Sequence, residues 1–120
     1  MAKNLNRAKG VAGENLACEY LGARGFEILA RNFSGSANFH GGEIDIIAKK
    51  GETVHFIEVK SRTTDRFGVG REAVDRTKQR TIRAVASRWL AKNGLFDRVF
   101  VSFDVVEIMG GAVDLYEDCF

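Results

Sequence analysis

Proline is absent from this chain of 120 residues, and cysteine, histidine and long apolar runs are scarce. Without proline, the breaks between helices and strands have to come from glycine, asparagine and serine. Cys18 and Cys119 lack the spacing of a metal-binding motif. Free thiols in a reducing compartment are therefore favoured over a disulfide. No apolar run approaches the roughly 20 residues that a membrane-spanning helix needs, so we expect no contact with a membrane.

The first ten residues are polar and basic, and they lack the apolar segment of a secretory signal. We therefore expect a cytoplasmic protein. The length suits one core, and we take residues 1–120 as a single domain. Hydrophobic residues make up 45% and charged residues 28% of the chain, which is the composition of an ordinary globular protein.

The net charge of +2 conceals two segments of opposite sign. Residues 60–92 carry 10 basic and 3 acidic side chains, whereas residues 97–120 carry 1 basic and 6 acidic ones. A localised basic segment suits a surface that binds a polyanion, because each neutralised phosphate releases counterions. The alternative is a helix with a solvated Arg/Lys face.

The spacing of apolar residues predicts seven elements in the order αβββαββ. Asp75 and Asn93-Gly94 are good start and stop signals for the second helix. Three consecutive strands, then a crossover helix and another strand, predict an α/β fold with a mixed five-stranded sheet flanked by helices. The predicted elements are a helix over 7–24, strands over 26–33, 43–48 and 53–61, a helix from 72 or 75 to 93, and strands over 99–108 and 112–116.

Charged residues interrupt two of the apolar strands. Side chains alternate faces along a strand, so Glu43 and Asp45 should share one face, with Ile44 and Ile46 on the other. The same alternation applies to the first strand, where Phe26, Ile28 and Ala30 should all lie on one face.

The second and third strands are predicted to pair as an antiparallel hairpin around a turn at 49–52. Asp45 and Glu58 lie about equally far from that turn and should come close together. Lys60 should project from the same face as Glu58. The simpler interpretation treats Asp45 as a structural, hydrogen-bonded aspartate and Lys60 as the start of a solvated loop.

Two carboxylates about 4 Å apart repel by roughly 4 kcal/mol at an effective dielectric near 20. A fold that builds such a pair needs a shared proton or a cation, and oxygen ligands suit Mg²⁺ or Mn²⁺. Lys60 could orient or deprotonate a water, or stabilise charge on a phosphate. The pattern indicates hydrolysis of a phosphodiester by metal-activated water.

Asp45, followed by Glu58-Val59-Lys60, resembles the D…(D/E)XK motif of the restriction-endonuclease-like PD-(D/E)XK superfamily. A longer ordered set of segments resembles the YraN family of bacterial proteins, which is similar to archaeal Holliday-junction resolvases. The resemblance covers roughly residues 7–107. Its segments are GENLACEYL (13–21), GEIDIIA (42–48), FIEVKSR (56–62), FG (67–68), EAV (72–74) and KQR (78–80).

The resemblance implies a restriction-endonuclease-like fold and a third metal ligand on the first helix, where Glu14 matches. It also places Gln79 beside the catalytic residues and Lys78 near phosphate. The predicted catalytic residues are thus Asp45, Glu58, Lys60 and Gln79, with Mg²⁺ or Mn²⁺ bound by Glu14, Asp45 and Glu58. The predicted nucleic-acid-binding residues are Arg62, Arg66, Arg71, Arg76, Lys78, Arg80 and Arg83.

The chain departs from the family pattern at two places. A longer loop at 34–41, containing His40, replaces a short arginine-bearing link, and a proline expected near Phe67-Gly68 is absent. Glu43 is either a peripheral group of the site or a strand-edge charge, and Glu14 alone could be an ordinary exposed helix residue. His55 is interpreted as a packing histidine rather than a ligand.

Three hypotheses follow from these observations. The first is a Mg²⁺-dependent nuclease acting on DNA, with branched or recombination intermediates as one substrate class. The second is a non-catalytic nucleic-acid-binding accessory protein of the same fold. The third adds a homodimer or partner surface on the acidic tail and the last strand.

Overall fold

The computed structural model describes residues 2–34, 42–62 and 74–120, with residues 2–9 described as helical backbone only. The order αβββαββ is confirmed. No helix in these ranges is both long and apolar enough to cross a membrane. The elements are α1 (Ala2–Ala23), β1 (Glu27–Ser34), β2 (Glu43–Lys50), β3 (Thr53–Arg62), α2 (Arg76–Lys92), β4 (Phe100–Met109) and β5 (Ala112–Tyr116).

The five strands form one open sheet in the spatial order β1-β2-β3-β4-β5. Neighbouring strands are antiparallel except for β3 and β4, which run parallel and are joined through α2. A parallel pair needs a crossover connection, and α2 supplies it. The predicted mixed five-stranded α/β sheet is therefore confirmed.

Each face of the sheet has its own core, named here after the helix that covers it. The α1-side core joins Ala17 and Leu21 of α1 to Ile57 and Val106 of the sheet. The α2-side core places the buried stripe of α2 on the other face. That stripe is the predicted one, formed by Ile82, Val85, Ala86, Trp89 and Leu90, and it packs on sheet residues that include Ile47, Val54 and Phe56.

Helix α2 begins where its sequence signals indicate. Asp75 is the N-cap, and its side chain accepts a hydrogen bond from the Lys78 backbone N–H at 2.8 Å. At the other end, Asn93 caps the helix and Gly94 takes a φ of +68°. These local signals fix which residues form the first turn, and so they position Lys78 and Gln79.

The β2–β3 hairpin has a tighter turn than predicted, because Lys50 already pairs with Thr53 and only two residues form the loop. Gly51, the first of them, adopts a φ of +61°, which glycine accepts without strain. The antiparallel ladder runs from this turn to the pair Ile46–Ile57 and ends there. Asp45 and Glu58 are the next residues along each strand.

Three details of the sequence-based prediction are wrong. Helix α1 begins at Ala2 rather than at residue 7. A register shift between Ile28 and Ala30 in β1 places Ile28 against the α1-side core and Ala30 against the α2-side core, so the alternation assumed for that strand fails. Ile44 and Ile46 likewise pack in different cores, because β2 no longer follows β3 beyond Ile46.

Candidate active site

The carboxylates of Asp45 and Glu58 meet at the point where the β2–β3 ladder ends. The Val59 N–H, which a continued ladder would direct to the β2 backbone, donates instead to Asp45 Oδ2 at 2.8 Å. Glu58 is buried, with 6% of its surface exposed, and Asp45 is partly buried. The hairpin therefore brings the two predicted acidic residues together.

Asp45 is a much weaker acid in this environment than an ordinary aspartic acid. Burial, followed by hydrogen bonding to Glu58 and the repulsion of its charge, raises the pKa of Asp45 from 3.8 to about 7. The Val59 N–H and the Lys78 ammonium oppose this rise but do not cancel it. A proton or a cation is thus needed to stabilise the pair near neutral pH.

Helix α2 contributes a cation to the carboxylate pair. Lys78 Nζ lies 3.3 Å from Glu58 Oε2. The contact is an ion pair to an oxygen that is buried. Lys78, predicted from the sequence as a phosphate ligand, is therefore paired with a predicted metal ligand.

The two lysines of the site are pushed in opposite directions. Burial, together with the nearby charge of Lys78, lowers the pKa of Lys60, and the attraction of Glu58 and Asp45 only partly offsets this. Burial also acts to lower the pKa of Lys78, but the attraction of Glu58 outweighs it, and the net pKa is raised. Lys60 is consequently the more readily deprotonated ammonium, and Lys78 the more persistent cation.

Glu14 contacts β1. Its Oε2 accepts a hydrogen bond from Asn32 Nδ2 at 3.1 Å and lies 3.4 Å from Arg31 Nη2. Glu43 and Glu14 both line one cavity of about 510 Å³. The resemblance-based assignment of Glu14 as a metal ligand stays a prediction, as does any role of Glu43 at the edge of the site.

Gln79 lies beside Lys78 in the first turn of α2, and its Nε2 donates to the Val74 carbonyl at 2.9 Å. In this position it secures the start of the helix. A direct role in catalysis stays a prediction.

The predicted nucleic-acid-binding residues are in different situations. Arg76 and Arg80 are exposed on α2. Arg62 Nε lies 3.0 Å from the buried Glu107 Oε2, so its charge is already paired. The guanidinium of Arg83 lies over the Phe103 ring, 4.6 Å from its centroid.

Some predictions fall outside the described residues. Arg66 and Arg71, together with the Phe67-Gly68 segment, lie in 63–73, and His40 lies in 35–41.

Two buried acidic residues in β4 were not predicted from the sequence. Asp104 is fully buried and Glu107 is 3% exposed. The signal was the same as for Asp45, namely an acidic residue within an apolar strand, Phe-Asp-Val-Val-Glu-Ile. Asp104 contacts His55, with 2.6 Å between Oδ2 and Nδ1, and Glu107 pairs with Arg62.

Comparison with models of known protein families identifies the family of this chain. The model of "Uncharacterised protein family UPF0102" matches residues 13–108, a range that holds Glu14, Asp45, Glu58, Lys60 and Lys78. The chain belongs to this family. The predicted likeness to YraN-type proteins is thereby confirmed, whereas membership of the PD-(D/E)XK superfamily stays a prediction.

Individual UPF0102 proteins resemble the chain over most of its length. A UPF0102 protein of Geobacter sulfurreducens is 44% identical over 103 residues, covering 86% of this chain and 77% of the relative. One from Symbiobacterium thermophilum is 43% identical over 107 residues, with 89% and 86% covered. One from Clostridium perfringens is 42% identical over 106 residues, with 88% and 83% covered. None of these names assigns an activity, so function has to be argued from the site.

Proposed function

We propose that this UPF0102 protein is a divalent-metal-dependent nuclease acting on DNA, of the restriction-endonuclease-like PD-(D/E)XK type. The observation that carries the proposal is the Asp45–Glu58 pair, two carboxylates set together at the end of a paired ladder beside two lysines. A packing role alone would be served by apolar residues at lower cost in desolvation.

The donor set fits a hard divalent cation. Asp45 and Glu58 offer carboxylate oxygens, which Mg²⁺ and Mn²⁺ prefer, and one of them, Glu58 Oε2, is buried with the Lys78 ammonium 3.3 Å away. Asp45 and Glu58 would hold the ion, with Glu14 as the predicted third ligand. Once bound, a divalent ion supplies a water of lowered pKa and neutralises charge on a phosphate.

The protein's own residues would divide the remaining work according to their pKa shifts. Lys60 follows Glu58 by two residues on β3, and its lowered pKa suits it to accept or hold a proton at Nζ. Lys78, whose pKa is raised, would remain charged and stabilise negative charge on the phosphate. The exposed Arg76 and Arg80 on the same helix would bind the DNA backbone.

The test is cleavage by purified wild type, Asp45→Asn and the control Asp97→Asn. Asp97 is exposed and precedes β4 at the hairpin-turn end of the sheet, where Phe100 pairs with Thr53. Labelled linear duplex, single-stranded and four-way-junction DNA would be incubated with Mg²⁺, Mn²⁺ or EDTA. We expect metal-dependent cleavage of at least one substrate by the wild type and by Asp97→Asn. In Asp45→Asn the rate should fall by roughly 10³-fold or more.

Equal cleavage by wild type and Asp45→Asn would contradict the proposal, because the activity would then come from elsewhere. Calorimetric titration of the same three proteins with Mg²⁺ adds a readout that does not depend on the substrate. Binding by wild type and by Asp97→Asn, lost in Asp45→Asn, is the expected result.

A non-catalytic nucleic-acid-binding accessory is the second candidate, and one observation favours it. The Lys78 ammonium lies 3.3 Å from Glu58 Oε2, where it compensates part of the negative charge of the carboxylate pair. Salt-sensitive DNA binding by the wild type, with neither Mg²⁺ binding nor cleavage, would support this candidate over the nuclease.

A further inference from the structure

A second cluster of metal-ligating side chains lies on the face of the sheet opposite Glu58. His55 of β3 and Asp104 of β4 lie on adjacent parallel strands, on the face that α1 covers, and Glu117 directly follows β5. His55 and Asp104 are buried, at 5% and 0% exposure, whereas the Glu117 side chain is 55% exposed. Two of the three groups are therefore fixed by the core, and the third can move.

The three side chains converge on one nitrogen. His55 Nδ1 lies 2.6 Å from Asp104 Oδ2 and 3.8 Å from Glu117 Oε1. All three ligand atoms lie within 4.8 Å of one another. A tetrahedral ion with bonds of about 2.0–2.2 Å spaces its ligands roughly 3.3–3.6 Å apart. The 2.6 Å and 3.8 Å separations from His55 Nδ1 lie on either side of that spacing, so modest side-chain shifts would complete the site.

Asp104 is held in place through its other oxygen. Oδ1 accepts hydrogen bonds from Ser102 Oγ and, at 3.2 Å, from the Asp118 N–H. Ser102 Oγ also lies 3.0 Å from Asp118 Oδ1, although its single proton can be donated to only one of the two carboxylates at a time. These contacts leave Oδ2 directed at His55, and a carboxylate ligand is typically oriented by such outer hydrogen bonds.

Space for further ligands is available beside the cluster. A cavity of about 410 Å³ is lined by His55, Ser102, Glu117 and Asp118, and water could enter it to complete the coordination. Lys50 lines the same cavity, but its ammonium lies over the Phe26 ring, 5.1 Å from the centroid.

A simple histidine–aspartate hydrogen bond explains part of this arrangement but leaves Glu117 unexplained. At 3.8 Å the Glu117 carboxylate is too far from Nδ1 for a hydrogen bond, yet it faces a nitrogen that is already bonded to another carboxylate. Two negative charges around one imidazole are better neutralised by a divalent ion than by one proton. One nitrogen and two carboxylate oxygens suit Zn²⁺ and similar transition metals more than Mg²⁺.

We propose that His55, Asp104 and Glu117 form a Zn²⁺-class metal site, separate from the Asp45–Glu58 pair and independent of the proposed nuclease function. The ion would fasten the segment after β5 to β4. That segment already docks there, because the Cys119 N–H donates to the Phe103 carbonyl at 2.7 Å and the Phe120 and Phe103 rings lie 5.4 Å apart.

The test is calorimetric titration of EDTA-treated, dialysed full-length protein with Zn²⁺. All variants carry Asp45→Asn, which disables the other carboxylate pair. We expect about one Zn²⁺ per chain in this background and in the control Glu27→Gln, an exposed glutamate on the edge strand β1. Added Glu117→Gln should weaken binding by about tenfold or more and reduce the rise in melting temperature that Zn²⁺ produces.

Glu117 is exposed, so its variant should fold, and circular dichroism would verify this. Added His55→Asn, if folded, should lose the binding altogether. Absence of Zn²⁺ binding at millimolar concentration, or equal binding with Glu117→Gln, would overturn the proposal. Titration with Co²⁺ provides a second readout, and a thiolate-to-cobalt absorption band would overturn it too, since the ion would then be bound by Cys18 or Cys119.

Discussion

At the scale of single residues, the site depends on whether the Asp45 carboxyl is charged or protonated. Its carboxyl is partly buried, bonded to one backbone N–H and placed next to Glu58. Burial alone disfavours the charged form, and the neighbouring carboxylate adds to this effect. The metal-free protein should therefore be less stable with Asp45 charged than with Asp45 protonated.

This cost gives the stability of the protein a defined pH dependence. Because the pKa of Asp45 is 3.8 ordinarily and about 7 in the folded protein, the folded state holds the proton more tightly than the unfolded state does. The favourable contribution is complete below about pH 4 and is lost as the pH rises towards about 7. The total change is at most about 4 kcal/mol. Urea unfolding in EDTA between about pH 4 and pH 8 should show this fall in wild type and in Asp97→Asn, but not in Asp45→Asn.

The Lys78–Glu58 ion pair leads to a second prediction for metal-free protein. Removing Lys78 leaves the buried Glu58 carboxylate without the cation that lies 3.3 Å away. Lys78→Met should lower the free energy of unfolding by about 1 kcal/mol, a modest value because the lysine is itself more than one third exposed.

A double-mutant cycle isolates this contribution. In the Glu58→Gln background Lys78→Met should cost much less, so the coupling energy measures the pair. Lys92→Met, which removes an exposed charge in the last turn of α2, should change little in either background. Equal effects of Lys78→Met with and without Glu58 would show that the two residues do not interact.

At the scale of elements, α1 reaches the sheet at a glycine. A Cβ at Gly13 would lie 2.6 Å from Ser61 Oγ of β3, and it would keep 4.0 Å to Ser61 Cβ, whereas Gly10, one turn earlier, has open space around it. This close approach determines the distance between α1 and the sheet next to Glu14. It therefore positions the predicted third metal ligand.

Alanine substitutions at the two glycines should differ for this reason. Gly10→Ala should stabilise the protein by about 0.5–1 kcal/mol through helix propensity. Gly13→Ala should lose most or all of that gain, because the new methyl group displaces the Ser61 hydroxyl. Adding Ser61→Ala should restore it. Thermal unfolding of the four proteins is the measurement, and an equal gain at Gly10 and Gly13 would contradict the close contact.

The elements that the sequence predicted well are those with local signals. Asp75, Asn93-Gly94 and the stripe from Ile82 to Leu90 lie within one helix, so periodicity and capping residues sufficed for α2. The approach of Asp45 to Glu58 was predictable because a short hairpin fixes its own register.

The features that the sequence did not predict depend on contacts between elements. The register shift in β1 and the end of the ladder at Ile46 arise from pairing with neighbouring strands, and strict alternation cannot anticipate either. The contact of Lys78 with Glu58 depends on how α2 crosses the sheet. The pairing of His55 with Asp104 joins residues 49 positions apart on strands that the sequence analysis did not align.

At the scale of the whole molecule, the surface charge differs from the charge counted along the sequence, because some charged side chains are buried and paired. Two of the six acidic residues in 97–120, Asp104 and Glu107, are buried and paired with His55 and Arg62. The tail is therefore less acidic at the surface than its count suggests, and Arg62 contributes little free positive charge. Among the predicted nucleic-acid-binding residues that the structure describes, Arg76, Arg80 and Arg83 are exposed, and of these the Arg83 guanidinium lies over the Phe103 ring.

This distribution of surface charge predicts which arginines would set the salt dependence of the proposed DNA binding. Each phosphate contact contributes roughly −0.9 to the slope of log affinity against log salt on duplex DNA. Arg76→Gln together with Arg80→Gln should therefore make the slope, measured by fluorescence anisotropy, shallower by about 2. Arg98→Gln, an exposed charge outside the basic segment, should leave it unchanged.

Arg62→Gln tests whether a positive charge that is already paired inside the protein contributes to DNA binding. It removes a positive charge within the basic segment, but one that already neutralises the buried Glu107. We expect it to lower the free energy of unfolding, because an uncompensated buried carboxylate remains, and to leave the salt slope nearly unchanged. If Arg62→Gln flattened the slope as much as one α2 substitution does, the DNA would contact the β3 end of the segment. The surface proposed on α2 would then have to extend across the sheet edge.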